Sequence, residues 1–491
     1  MAGLSPEARE LLRRRLASRR ADVGNTIPRR APDEPVPMSF AQWRLWFLEQ
    51  LRPGTNAWNT PVAARLRGPL DVATLRRSLA LVLERHPMLR TVFPPDRAAE
   101  VLTGGPFQVV LERPKVELPV IDAGVRDGAA TTIDDRIDAF VAAEVRRPFD
   151  LKADLMVRAR LLRLGPEDHV LVVVAHHIAC DGWSKGLLIG DLGTAYSALV
   201  EGRDPILARP AIEYADFAVW QRRWLDGERL QRLTSYWVQR LAGHALALEL
   251  ATDKPRPRMQ EFRGAVQWLA LPASLADGVV ALARRQRATP FMALMAGFMA
   301  LLHAQSGQDD LLVGSPAAMR HQPELEHVIG LFANTLVYRV NLGGKPTYAE
   351  LIGRVRETAL GAYQYQDLPF EKLVEAVKPR RDPSRNPLVQ VNLRVEGREP
   401  ALALRGVRCE PISVDPGIAR FDLAIELGAT EDGFAGYLEY DTNLFEPASA
   451  AALADSFAAV LDSAVASPDL PLTQLPPIRE VITSTRRTSK R

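Results

Sequence analysis

His169-Val170-Leu171-Val172-Val173-Val174-Ala175-His176-His177-Ile178-Ala179-Cys180-Asp181-Gly182 is a β-branched apolar run that stops at two histidines and turns at a glycine. Residues 169–175 lack polar alternation, which predicts a strand buried on both faces. Successive strand side chains point to opposite faces, so His176 and His177 have different jobs. That split argues against a metal centre built on both rings. One imidazole in a cleft is suited to general-base work, because its ordinary pKa is near 6.5. Asp181 has two open roles: orienting a histidine, or pairing with a buried arginine to hold the loop. Gly182 lets the backbone approach a ligand closely. Cys180 reads as a small loop residue, since nothing flanking it favours a thiolate.

Past the glycine turn, Leu187, Leu188, Leu192 and Leu199 predict a helix. Upstream, Asp71 is placed to cap a helix carrying Leu75, Leu79, Val82 and Leu83, which must stop near Arg85-His86-Pro87. Downstream, Thr289-Pro290 opens a helix with Phe291, Leu294, Met295, Phe298 and Leu301. Leu311-Leu312-Val313 and Leu336 to Val340 read as strands, and Leu453, Phe457, Val460 and Leu461 as a late helix. Strands and helices alternate in both halves, so the expected class is α/β with two lobes of similar size. Before them, Leu4 to Arg20 reads as a short basic helix, either a solvated lead-in or a docking helix for a partner. A Pro/Gly-containing linker follows from Ala21 to Pro37. The segment after Pro468 is proline-rich, then basic, and is expected to be mobile.

Bulk properties narrow the class further. The chain has 491 residues, 47% of them hydrophobic, enough for two sizeable cores. Lys and Arg number 62 against 59 Asp and Glu, a formal charge of +3 that gives no nucleic-acid footprint. The 2 cysteines, Cys180 and Cys409, support neither a disulfide framework nor a zinc site. A reduced, cytoplasmic setting is the expectation. The first twenty residues lack the apolar core of a signal peptide. The uninterrupted apolar runs are too short for a membrane span.

Further segments, in order, resemble the condensation domains of nonribosomal peptide synthetases. They are Ser39 to Leu48, Arg85 to Phe93, His176 to Ser184, Tyr214 to Gln221, Ile329 to Leu336, Gln366 to Val374 and Arg381 to Leu388. The resemblance extends from about Pro37 to Asp469. It implies two chloramphenicol-acetyltransferase-like lobes in a V-shaped pseudo-dimer, with the active-site tunnel between them. The implied divisions are 1–37 (helix and linker), 38–205 (first lobe), 206–478 (second lobe) and 479–491 (basic tail), with loops of the second lobe crossing over to close the tunnel.

The resemblance also implies roles. His177 orients the attacking nucleophile or takes its proton, and His176 is structural. Asp181 pairs with an arginine of the other lobe, for which Arg320 is the candidate, and Gly182 brings its amide near the thioester. Trp183, Ser184 and Asn334 line the tunnel. No metal and no resident cofactor are implied. Phosphopantetheine arrives on an acyl or peptidyl carrier protein, and the acceptor is a second carrier or a free amine or alcohol. Ala175 and Tyr365 stand where the family often has Met and His, departures of packing. Heterocyclisation relatives carry aspartates where this chain has His176 and His177. A non-catalytic recruitment domain and an epimerase are the alternative readings. Leu342-Gly343-Gly344 is followed by Lys345-Pro346 and lacks a carrier domain's serine. The chain is expected to be a free-standing enzyme or one excised from a larger synthetase.

Overall fold

The computed structural model describes residues 26–94, 107–112, 114–123, 132–397 and 401–475. The predicted helix Leu4 to Arg20 and the basic tail at 479–491 lie outside them. In chain order the strands are β1 (Asn59–Arg67), β2 (Thr91–Val92), β3 (Val109–Val110), β4 (Val120–Asp122), β5 (Val157–Gly165), β6 (Asp168–His176), β7 (Gly264–Pro272), β8 (Asp310–Ala317), β9 (Asn334–Asn341), β10 (Val391–Glu396), β11 (Arg408–Ile412), β12 (Leu423–Thr430) and β13 (Gly433–Asp441). They form a five-stranded sheet in the order β11-β1-β6-β5-β4 and a six-stranded sheet in the order β7-β13-β12-β10-β8-β9. The pair β2 and β3 makes a separate ribbon.

The apolar run before the two histidines becomes β6, paired antiparallel with β1 and β5. Val170, Val172 and Val174 join Ile137, Val141 and Val145 of helix Ile133–Arg146 in one core. Leu171, Val173 and Ala175 join Leu188, Leu192 and Tyr196 of helix Gly182–Val200 in another. With a helix over each face, the strand has no polar side. Each fully buried Val or Leu contributes roughly 1.5–3 kcal/mol.

Local signals set the flanking elements. Asp71 caps helix Val72–Arg85 by accepting from the Thr74 amide at 2.9 Å, and the helix stops before His86-Pro87. Thr289 caps helix Pro290–Ser306, whose residues from Met292 to Leu302 are all buried. This helix is central to the second lobe, so it is apolar around its circumference. Helix Pro447–Ala466 is long and apolar enough to cross a bilayer by length and composition. It packs Leu453, Phe457, Val460 and Leu461 into the same core.

Two segments within the expected second lobe, 206–478, pack against the first. Strand β11 leaves the second lobe and pairs antiparallel with β1 in the first sheet, Ala63 opposite Ile412. Leu402 and Leu404, just before it, join the first lobe's core. Helix Tyr214–Trp224 lies past the expected boundary, yet Tyr214 and Phe217 share a core with Trp46, Met88 and Met156 of the first lobe. That shared core also holds Ile178, Ala179, Leu331 and Phe332, so the histidine loop sits where the lobes meet.

Candidate active site

His176 ends β6, and the two histidines hydrogen-bond to opposite neighbours. The His176 amide donates to Met156 O at 2.9 Å and the His177 amide to Trp58 O at 2.8 Å. The rings part accordingly. His176 is 1% exposed, with its ring edge against Phe149 at 5.6 Å between centroids. Its Nδ1 accepts from the Ile178 amide at 3.2 Å, so Nε2 carries the hydrogen and faces Glu49 Oε1 at 3.4 Å. Burial pushes the Glu49 carboxyl up to about 8. Burial, with Arg158 and Arg420 nearby, pushes His176 down to about 3. At neutral pH this is an uncharged pair in the core.

Its pH dependence follows. Between the ordinary value of 4.5 and about 8, folded Glu49 keeps a proton that the unfolded chain has lost. Stability contributed at this site therefore falls as pH rises through that window. Glu49→Gln fixes the uncharged form. The melting temperature of the variant is expected to gain on wild type by several degrees from about pH 5 to about pH 8.5. A difference between the two proteins that stays constant with pH would rule this out.

His177 is half-buried. Its Nδ1 lies 3.1 Å from Cys180 O. A carbonyl oxygen only accepts, so Nδ1 carries the hydrogen and Nε2 presents a lone pair. Burial, then the positive charge of Arg420, pushes this ring down to about 4. It is therefore a neutral base at physiological pH. Cys180 is fully buried, and burial followed by the charge of Asp181 pushes its thiol up. That environment does not generate a thiolate.

Asp181 is the N-cap of helix Gly182–Val200 and accepts from the Ser184 amide at 2.8 Å. Its Oδ2 accepts from the amides of Phe332 at 3.0 Å and Ala333 at 3.3 Å. Arg320 Nη2 lies 3.2 Å from Asp181 Oδ1, both side chains being 1% exposed. The same nitrogen donates to Ser184 Oγ at 2.6 Å and to Val328 O at 3.1 Å. Arg320 also stacks over Phe332, 4.1 Å from the ring centroid. Asp181 and Arg320 thus bind the first lobe's loop to the second lobe.

The three residues expected to line the tunnel, Trp183, Ser184 and Asn334, each hydrogen-bond to backbone of neighbouring segments. Ser184 is 0% exposed; its hydroxyl donates to Gly330 O at 2.9 Å and accepts from Arg320 and the Gly330 amide. It therefore belongs to the lobe anchor. Asn334 spends its amide on the backbone of Gln366, Leu368 and Phe370 at 2.8–2.9 Å, stapling that loop to β9. Trp183 is 48% exposed, and its indole N–H donates across the junction to Glu326 O at 2.9 Å.

Other residues at the junction lack a functional signal in the sequence reading. A Cβ at Gly182 would meet Arg394 Nη2 and press on Glu396 Oε1, so a larger residue there would have to displace the Arg394 guanidinium where β10 meets the loop. Arg394 is held by Glu396 at 2.5 Å and Glu426 at 3.0 Å, and the Tyr437 hydroxyl donates to Glu426 at 2.8 Å. Burial disfavours the Arg394 charge, but the two carboxylates outweigh it and raise its pKa. Asn392, Arg394 and Glu396 alternate with Val391, Leu393 and Val395 along β10, a pattern that could have marked them. Tyr214, at the start of one family-like segment, donates its hydroxyl to Leu331 O at 2.6 Å. Its ring occupies the space a Cβ at Gly330 would need.

The Condensation domain family matches residues 33–481. The chain is 39% identical over 457 residues to a linear gramicidin synthase polypeptide of Brevibacillus parabrevis, covering 92% of this chain and 6% of that protein. It is 39% identical over 483 residues to phosphinothricin tripeptide synthetase PhsC of Streptomyces viridochromogenes, covering 97% and 44%. The chain thus spans less than half the length of these relatives. Among solved structures, the X-domain from teicoplanin biosynthesis superposes with a TM-score of 0.82 at 32% identity, over 92% of this chain and 99% of that one. The SgcC5 protein of Streptomyces globisporus superposes at 0.73 with 27% identity, over 89% and 100%. The two lobes are acetyltransferase-like, and the chain belongs to the condensation-domain family of nonribosomal peptide synthetases.

Proposed function

We propose that the chain catalyses acyl transfer from a carrier-borne phosphopantetheine thioester to an amine or hydroxyl nucleophile. The observation that carries this reading is the His177 ring: Nδ1–H is tied to Cys180 O, and an uncharged Nε2 is free to accept a proton. The amine adds to the thioester carbonyl, forming the C–N bond and moving the C=O π pair onto oxygen. Collapse re-forms C=O, breaks C–S and expels the pantetheine thiolate. The proton lost by nitrogen passes through His177 Nε2 to that sulfur. A hydroxyl nucleophile follows the same course to an ester. A free α-amine is already partly neutral at pH 7, so holding it in line contributes as much as removing its proton. His176, Asp181 and Arg320 shape the loop, and Gly182 allows close approach to the thioester.

A second reading is recruitment of another protein without chemistry. It is favoured by the likeness, at 32% identity, to an X-domain whose structure is known in complex with OxyB from teicoplanin biosynthesis. Mass spectrometry separates the two. Carrier proteins loaded with a panel of acyl and aminoacyl groups are incubated with free amines, alcohols and a second loaded carrier. Amide or ester product with wild type, and none with His177→Ala, is the expected result. Unreacted thioester in every combination, with stoichiometric binding of a second protein, would select recruitment instead.

A further inference from the structure

Arg420 lies between β11 and β12, on the segment where the chain returns to the second lobe. Its backbone is fixed on both sides. The Arg420 amide donates to Glu439 Oε1 at 3.0 Å, and its carbonyl accepts from Gln260 at 3.0 Å and from Asn386. The side chain reaches into the first lobe. Nε donates to Ala57 O at 2.9 Å, and the guanidinium lies 5.5 Å from the centroid of the Trp58 ring. Trp58 O accepts the His177 amide at 2.8 Å. The dipeptide Ala57-Trp58 therefore holds Arg420 through one residue and His177 through the next. Among the described residues, neither Nη group of Arg420 has a hydrogen-bond partner.

The neighbouring charges are cancelled in a way that Arg420 is not. Arg394 lies between Glu396 and Glu426. Arg320 is matched by Asp181. Two carboxylates feel Arg420: Glu426, which is already held by Arg394, and Glu439, which accepts from the Arg420 backbone amide and which burial pushes up to about 7 despite Arg420. The negative charge of Glu439 is thus only partly present at neutral pH. The charged and titratable groups acting on His177 are Arg420 from the second lobe, and Asp181 and His176 from its own loop. Of these, Arg420 alone supplies a permanent positive charge.

We propose that Arg420 is a positioning residue that brings a fixed positive charge from the second lobe to His177, where it favours the oxyanion formed when the nucleophile adds to the thioester. The inference rests on the acyl-transfer reading and assigns the missing electrostatic component to the other lobe. Preorganised positive charge stabilises a developing oxyanion without reorganisation during the reaction. The same field disfavours an imidazolium at His177 and keeps Nε2 able to accept. Catalytic electrostatics would then depend on closure of the lobe junction, because the charge and the base come from different lobes.

The test uses the full chain and two substitutions, Arg420→Gln and Arg420→Lys. The thioester and amine pair giving most product in the panel above serves as the probe. Arg420→Gln is expected to lower kcat about 10²-fold with KM within about threefold. Arg420→Lys, which keeps the charge, is expected to stay within about tenfold of wild type. In parallel, NMR of the ¹⁵N-histidine-labelled protein follows the His177 ring, identified by the signal lost in His177→Ala. That ring should titrate at higher pH in Arg420→Gln and as wild type in Arg420→Lys. Equal losses of activity in both variants, with His177 titrating as in wild type, would make Arg420 a lobe clamp and overturn the proposal. Full activity of Arg420→Gln would also overturn it. If no pair yields product, the acyl-transfer reading fails by itself, and an unmoved His177 titration in Arg420→Gln would still refute the placement of charge.

Discussion

Replacing His177 with alanine is expected to lower turnover about 10²–10⁴-fold while leaving thermal stability close to wild type. Among the described residues the ring makes one hydrogen bond, from Nδ1 to Cys180 O, and it is half-buried. The amide bond to Trp58 O is independent of the side chain. Substrate contacts made elsewhere survive, so the loss should fall on kcat rather than KM. His176→Ala has the opposite signature. That ring is 1% exposed, accepts from the Ile178 amide and packs on Phe149. Its removal leaves a core cavity and an unpaired amide, so stability falls first. The pH profile adds a second check. With His177 held down to about 4, turnover should show no inflection near 6.5. The rise with pH should follow the nucleophilic amine. A His177→Ala enzyme with full turnover, or a wild-type inflection near 6.5 that this variant lacks, would remove His177 from the role proposed.

The strand, its double burial and the parting of the two histidines were legible because each is local. Nine consecutive residues define β6, and alternation alone separates one ring from the next. The pairing of Asp181 with Arg320 was not local: 139 residues separate them, and only the resemblance to a family joined them. Strand β11 was invisible for a physical reason. Its sequence Arg408-Cys409-Glu410-Pro411-Ile412 is five residues long, with two charges and a proline, which is tolerated at a sheet edge and reads as loop. A tunnel-lining Ser184 is what the family resemblance implies. Asp181 starts the helix, however, and at the third helical position Ser184 turns inward to Arg320 and Gly330. Arg420 and Glu49 carry no pattern at all. Their roles come from the packing of helix Phe40–Leu51 and of the returning crossover chain against the histidine loop.

Asp181→Ala should cost far more stability than Arg320→Met, although each removes one member of the same buried pair. Without the carboxylate, Arg320 is a cation in a site where, among the described residues, Nε and Nη1 already lack hydrogen-bond partners. Breaking a buried pair this way typically costs about 3–5 kcal/mol. Asp181 is also the helix cap, through the Ser184 amide, which adds about 1 kcal/mol. Two further amides, Phe332 and Ala333, lose their acceptor. Without the arginine, by contrast, the carboxylate keeps three backbone N–H donors, and methionine can fill the space over Phe332. That loss should be about 1–3 kcal/mol. Denaturant midpoints of the two variants decide the order. Because the pair joins the lobes, activity of both should fall together with stability and recover at low temperature. An Asp181→Ala protein with a wild-type midpoint and no turnover would place the carboxylate in the chemistry. Equal midpoints in the two variants would mean that the backbone donors do not sustain the buried charge.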